Sequence, residues 1–328
     1  MPNPAGYPDG LAYHPAAGYG NLLAGDAPIH ATNFEALFFL FWAGLLVVVI
    51  ALPWAISRLV KHKDWLPLLA LGAGFITSLG EPMLDLVGHL RWSTGLQGPV
   101  FTNFDKAIPL LIPPCYALFM GLEAYWVYTI AQRGITVKKF FLLFAAIGAS
   151  DALMENPGLF LHAYEYYGNQ PFKFGKFPFY WSFTNGAAIA TIGVGFHYVW
   201  PAVKDRGWWK LSILPIGIIA TTVAEFGTGF PVFLAINADM AVWLQWVIGS
   251  LTLVLAVLWI RVLAMLVCDE ASQVDWTFWG LFKSRFMLPH QREAYIEAIT
   301  RQPLPGSVDQ PEKESVHTGG RAGQPTTS

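Results

Sequence analysis

Charge is scarce in this chain. Lys, Arg, Asp and Glu together make up 13% of its 328 residues, about half the share of a soluble domain. That excludes an ordinary water-soluble globule. The formal net charge of −2 leaves no basic surface for nucleic acid, so no nucleic-acid partner is expected. Only two cysteines occur, Cys115 and Cys268, too few for a disulfide framework or a thiolate metal cluster. Residues 1–32 contain no Lys or Arg; without the basic stretch of a signal peptide, no cleaved leader is expected. No internal repeat is visible, which weakens a transporter built from inverted halves.

What fills the chain instead is apolar. Hydrophobic residues make up 54% and aromatic residues 15%, and the mean hydropathy is +0.43. A membrane-spanning helix needs roughly 20 mostly apolar residues. Seven stretches qualify, at about 33–59, 65–92, 107–132, 138–166, 178–202, 209–236 and 240–267. The expected fold is therefore all-α, a polytopic membrane protein with a seven-helix transmembrane bundle over 33–267.

Basic residues set the orientation. Arg58, Lys61 and Lys63 follow the first stretch, Arg133, Lys138 and Lys139 the third, and Lys204, Arg206 and Lys210 the fifth. Lys283, Arg285 and Arg292 follow the seventh. With seven spans all four groups fall on one side. This predicts the N-terminus outside, the C-terminus in the cytoplasm, and a multi-pass protein of the cell inner (plasma) membrane. Residues 1–32 read as an irregular extracytoplasmic segment. Residues 268–300, where Trp276, Phe278, Trp279, Phe282 and Phe286 alternate with charge, read as an amphipathic segment in the headgroup layer. Residues 301–328 read as a disordered cytoplasmic tail.

Against this apolar background the acids stand out. A carboxylate in the bilayer core costs a few kcal/mol or more, so it is normally turned inward and tied to function. At helical spacing Glu81, Asp85 and His89 share one face of the second stretch, and Asp151, Glu155 and His162 one face of the fourth. Asn156 and Pro157 follow, where the helix is expected to open. Glu225 interrupts the sixth stretch. Glu81, Glu155 and Glu225 each lie sixteen residues beyond a basic-side landmark (Trp65, Lys139, Trp209). At 1.5 Å per residue that is about 24 Å, one common layer. Asn185 in the fifth stretch and Gln245 in the seventh fall close to it, while Glu123 in the third falls deeper. One buried carboxyl can serve packing alone. Five acids and two histidines at one level describe a pocket. The aromatic loop over 166–181 is either an interface belt or a lid.

Three kinds of chemistry suit such a pocket. Clustered carboxyls in a low dielectric cannot all ionise, so a proton donor stands beside a charged base. That pair can protonate a hydroxyl, expel water and stabilise a cationic centre on a lipophilic molecule drawn from the bilayer. Metal binding is a second use, although neither Glu-x-x-His nor His-x-x-x-His occurs in the spans; neither a metal nor a cofactor is expected. Proton- or cation-coupled transport is a third, and a non-catalytic membrane binding protein remains the plain alternative. The seventh stretch has no lysine for a retinal Schiff base.

Three short elements carry a resemblance. Glu81-Pro82-Met83-Leu84-Asp85 matches an E-P-x-x-D element, Tyr166-Tyr167-Gly168-Asn169-Gln170-Pro171-Phe172 a Y-Y-G-x-Q-P-F element, and Pro178 to Asn185 a P…W…x-N element. Over roughly 35–265 the chain resembles the AveC-like spirocyclase family of bacterial membrane proteins. The resemblance implies dehydration and spiroketal formation on a polyketide; the acidic pocket in the bilayer widens the expected substrate to a lipophilic polyketide-, isoprenoid- or lipid-like molecule. It transfers no catalytic residue. The expected site is therefore drawn from the residues: Glu81, Asp85, Asp151, Glu155 and Glu225 as acid–base groups, with His89, His162, Gln170, Asn185 and Gln245 binding substrate.

Overall fold

A computed structural model describes residues 34–93, 99–104 and 106–300; the expected segments 1–32 and 301–328 lie outside the described residues. The chain is mostly helical. Five helices are long and apolar enough to cross a membrane: α1 (Phe34–His62), α2 (Leu66–Val87), α5 (Tyr180–Val203), α6 (Gly207–Asn237) and α7 (Val242–Val267). Two more helical runs, α3 over 112–132 and α4 (Val137–Phe160), complete the bundle. Two short helices follow, α8 (Phe278–Ser284) and α9 (Pro289–Thr300). The outward faces of α6 and α7 are apolar, with Ile219, Val223, Phe230, Val247, Leu251, Val254, Leu258 and Leu266 exposed. Trp208, Trp209 and Trp243 stand exposed near helix ends, as interfacial tryptophans do.

Helices approach closely where side chains are small. A Cβ on Gly121 of α3 would lie 2.3 Å from the Ala70 carbonyl oxygen of α2. One on Gly74 of α2 would lie 2.5 Å from the Gly121 nitrogen. Small residues bring backbones together in this way in membrane bundles. The contact coincides with a wide turn over Ala117–Leu122, directly after Tyr116.

Three antiparallel two-stranded ribbons lie at the end where α2 and α4 stop. They pair β1 (Leu90–Trp92) with β4 (Tyr164–Tyr166), β2 (Pro99–Asn103) with β3 (Lys106–Pro109), and β5 (Lys173–Phe174) with β6 (Phe177–Pro178). These ribbons correct three helix limits. The second stretch ends at Val87 rather than 92, the third starts at Ile112 rather than 107, and the fourth ends at Phe160 rather than 166. After α2 and α4 the backbone turns left-handed at His89 (φ 54°) and His162 (φ 56°), which stops each helix and launches a strand. Pro157 does not open α4; the helix continues one turn past it, because a proline removes only its own N–H from the ladder.

At the basic end the chain folds back. Residues 268–300, expected in the headgroup layer, pack into the bundle. Asp269 N bonds the Ile135 carbonyl (3.0 Å), Trp276 Nε1 donates to the Gly134 carbonyl (3.0 Å), and Lys139 pairs with Asp275 (3.0 Å). From there α8 and α9 form a re-entrant hairpin. Its arginines meet Glu123 inside the bundle: Arg285 Nη1 at 2.8 Å from Oε2, and Arg292 Nη1 at 2.9 Å from Oε1. Glu123 is nine residues before the end of α3 at Gln132, so the tip reaches about 14 Å along the bundle. Lower down, Glu293 of α9 lies 3.6 Å from Arg58.

Candidate functional site

Two helices supply acids in pairs. Glu81 and Asp85 stand one turn apart on α2, Asp151 and Glu155 one turn apart on α4, and Glu225 stands on α6. Glu81, Asp85, Asp151 and Glu225 are buried and Glu155 is half-buried. Glu81 lies within electrostatic reach of Asp85, Glu155 and Glu225, and Asp151 within reach of Glu155 and Glu225. All five acids therefore form one cluster.

Four of them share a pattern: each accepts a hydrogen bond from a neutral donor on another part of the chain. Tyr116 of α3 donates to Glu81. Trp92 Nε1 of β1 donates to Asp85 Oδ2 at 3.1 Å. Asn185 Nδ2 of α5 lies 3.3 and 3.4 Å from the two Asp151 oxygens. Tyr164 of β4 donates to Glu155. Burial, and then the neighbouring Glu155 charge, push the Tyr164 phenol well above its ordinary value, so it stays a donor. Glu225 differs. It is 0% exposed over the whole residue, and neither carboxyl oxygen has a hydrogen-bond partner among the described residues. Thr221 Oγ1, one turn away on α6, is buried and unpartnered as well. Two cations act on the cluster, Lys106 of β3 on Asp85 and Arg285 on Asp151; the Lys106 ammonium bonds the Leu90 carbonyl (2.9 Å) and the Tyr167 hydroxyl (3.1 Å).

The β1–β4 ribbon ties the two acid-bearing helices together. Leu90 pairs with Tyr166, Arg91 with Glu165 and Trp92 with Tyr164. Trp92 and Tyr164, the donors to Asp85 and Glu155, are thereby set side by side with ring centroids 4.7 Å apart. Continuing from β4, the aromatic loop buries Tyr166, Tyr167, Phe177 and Tyr180 and closes over this end. Gly88 allows the closure: a Cβ there would meet the Trp181 ring at 2.3 Å and the Leu84 carbonyl oxygen at 2.8 Å. We expect Gly88→Ala to displace Trp181 and to destabilise the protein by about 1–3 kcal/mol, read as a lower thermal unfolding midpoint in detergent.

Of the expected binding residues, Asn185 reaches an acid. His89 Nε2 lies 3.1 Å from Asn237 Oδ1, and its ring stacks on Tyr167 at 5.1 Å. His162 Nε2 accepts from Lys176 at 3.1 Å. Both histidines sit past their helix ends, off the i, i+4 acid faces. Gln170 is used by the roof, donating to the Gly88 (3.1 Å) and Tyr167 (2.9 Å) carbonyls and accepting from Tyr180 (2.7 Å). Gln245 accepts from Asn169 and donates to the Met240 carbonyl (3.4 Å). Tyr116, Trp92 and Tyr164 are the functional candidates that sequence reasoning passed over. Among the described residues, no three His, Cys, Asp or Glu side chains converge as metal ligands do.

Helices of this length and apolarity make the chain a helical membrane protein, and its distinguishing feature is a buried carboxyl cluster roofed by an aromatic ribbon. Compared with protein-family models, curated proteins and solved structures, the chain matches none.

Proposed function

We propose that this is a seven-span enzyme of the plasma membrane, N-terminus outside, that removes water from a lipophilic substrate or closes a ring on it by acid–base catalysis. The observation that carries this reading is the pattern of partners: four acids each accept from at least one neutral donor, while neither oxygen of Glu225 is engaged among the described residues. Five carboxyls in one buried cluster cannot all be ionised, so a proton donor and a carboxylate base coexist there.

Glu225 or Glu155 protonates a substrate hydroxyl. The C–O bond breaks and water leaves. An ionised carboxylate of the Glu81–Asp85 pair faces the cationic carbon, and the rings of Trp92 and Tyr164 stabilise it through their π-faces. In dehydration that carboxylate takes the adjacent C–H proton. In ring closure a second hydroxyl attacks the carbon, and its proton goes to the carboxylate. Either route releases one water and leaves the cluster with its original proton count. The outward-facing apolar helices favour a substrate that arrives through the bilayer. The three motif elements that resemble AveC-like spirocyclases lead to the same chemistry.

Native mass spectrometry of the detergent-purified protein tests this. The wild type is expected to carry a lipophilic molecule one water lighter than the one retained by Glu155→Gln. The same molecule at the same mass in both proteins would contradict the reading.

A further inference from the structure

Arg285, at the tip of the re-entrant hairpin, uses only part of its guanidinium. Nη1 bonds Glu123, while Nε and Nη2, which together form the planar two-toothed edge of the group, meet no acceptor among the described residues. The side chain is 1% exposed. Arg292 gives Nη1 and Nη2 to the same Glu123 carboxylate and lies 4.9 Å over the Trp126 ring; its Nε is also buried without an acceptor. Two guanidiniums thus share one hydrogen-bonded carboxylate inside the bundle. Asp151 acts on Arg285 through space without a hydrogen bond between them.

A buried charged donor without an acceptor is costly. Two parallel N–H groups on a planar edge match two oxygens of a carboxylate or phosphate. We propose that the Nε–Nη2 edge of Arg285, at the hairpin tip, is an oxyanion site. Its ligand is a carboxylate or phosphate, either as the head of an amphiphile or as a free ion. Phe286 and Leu288, next along the tip, are exposed and apolar, which suits the tail of an amphiphile. The site stands independently of the reaction proposed above.

Thermal unfolding of the full chain in an uncharged maltoside detergent tests it, with inorganic phosphate, monododecyl phosphate at low mole fraction, and dodecanol as the uncharged control. The wild type is expected to unfold at higher temperature with one of the phosphates and not with dodecanol. A shift with inorganic phosphate identifies a free anion, and a shift with the alkyl phosphate alone identifies an amphiphile head. Arg285→Lys keeps a cation for Glu123 but lacks the two-toothed edge, and should lose the shift. Arg292→Lys leaves that edge intact and should keep it. No shift with either phosphate in the wild type, or an equal shift in Arg285→Lys, would overturn the site.

Discussion

Glu123→Gln is expected to destabilise the protein by about 3–5 kcal/mol, the usual cost of removing one partner from a buried ion pair. Glu123 is the single carboxylate for both Arg285 and Arg292, so its loss leaves two buried guanidiniums facing each other across a neutral amide. The tip between α8 and α9 should then loosen, while the apolar packing of Leu281 and Ile296 in the core keeps the two helices against the bundle. Thermal unfolding in detergent gives the size of the loss. Limited proteolysis between Ser284 and Pro289 reports release of the tip. Glu123→Leu combined with Arg285→Met and Arg292→Met should regain much of the stability, since an apolar replacement of a whole buried charge set is often neutral or better. An unchanged midpoint in Glu123→Gln would mean that the triad does not hold the hairpin.

Glu225 should behave in the opposite way. Neither of its oxygens is hydrogen-bonded among the described residues, although the whole residue is buried. Glu225→Leu removes an unsatisfied polar group and is expected to stabilise the protein by about 1–3 kcal/mol. The same change should lower turnover at least 100-fold, the lower range for loss of a general acid or base. Gain of stability with loss of function is the mark of a group kept for chemistry. A carboxyl kept for packing would instead give a lower unfolding midpoint. Glu225→Gln separates charge from shape, because the amide retains the volume without a transferable proton.

Much of the acid cluster was legible in the sequence, for a geometric reason. Helical rise is fixed, so Glu81, Glu155 and Glu225 at equal distances from basic-side landmarks had to share a layer, and Asp85 and Asp151 follow from the i, i+4 spacing. Their donors were not legible. In a chain with 15% aromatic residues, Trp92, Tyr116 and Tyr164 read as interface or core, and only the β1–β4 register brings two of them onto the acids. His89 and His162 were misplaced because the apolar stretches run past the points where the helices stop. Gly88, a common kind of helix terminator, was the available signal for the first. Arg285 and Arg292 were read as charges that set topology. Nothing in their spacing shows that the chain folds back to a glutamate more than 150 residues earlier.

If Glu225 and its neighbours transform a lipophilic molecule, cells that make the protein contain its product. Lipid extracts of cells making the wild-type chain and cells making Glu225→Gln at equal level are compared by mass spectrometry. The account predicts a pair of lipophilic compounds that differ by one water, with the heavier accumulating in Glu225→Gln and the lighter in the wild type. Indistinguishable extracts from the two proteins would contradict it.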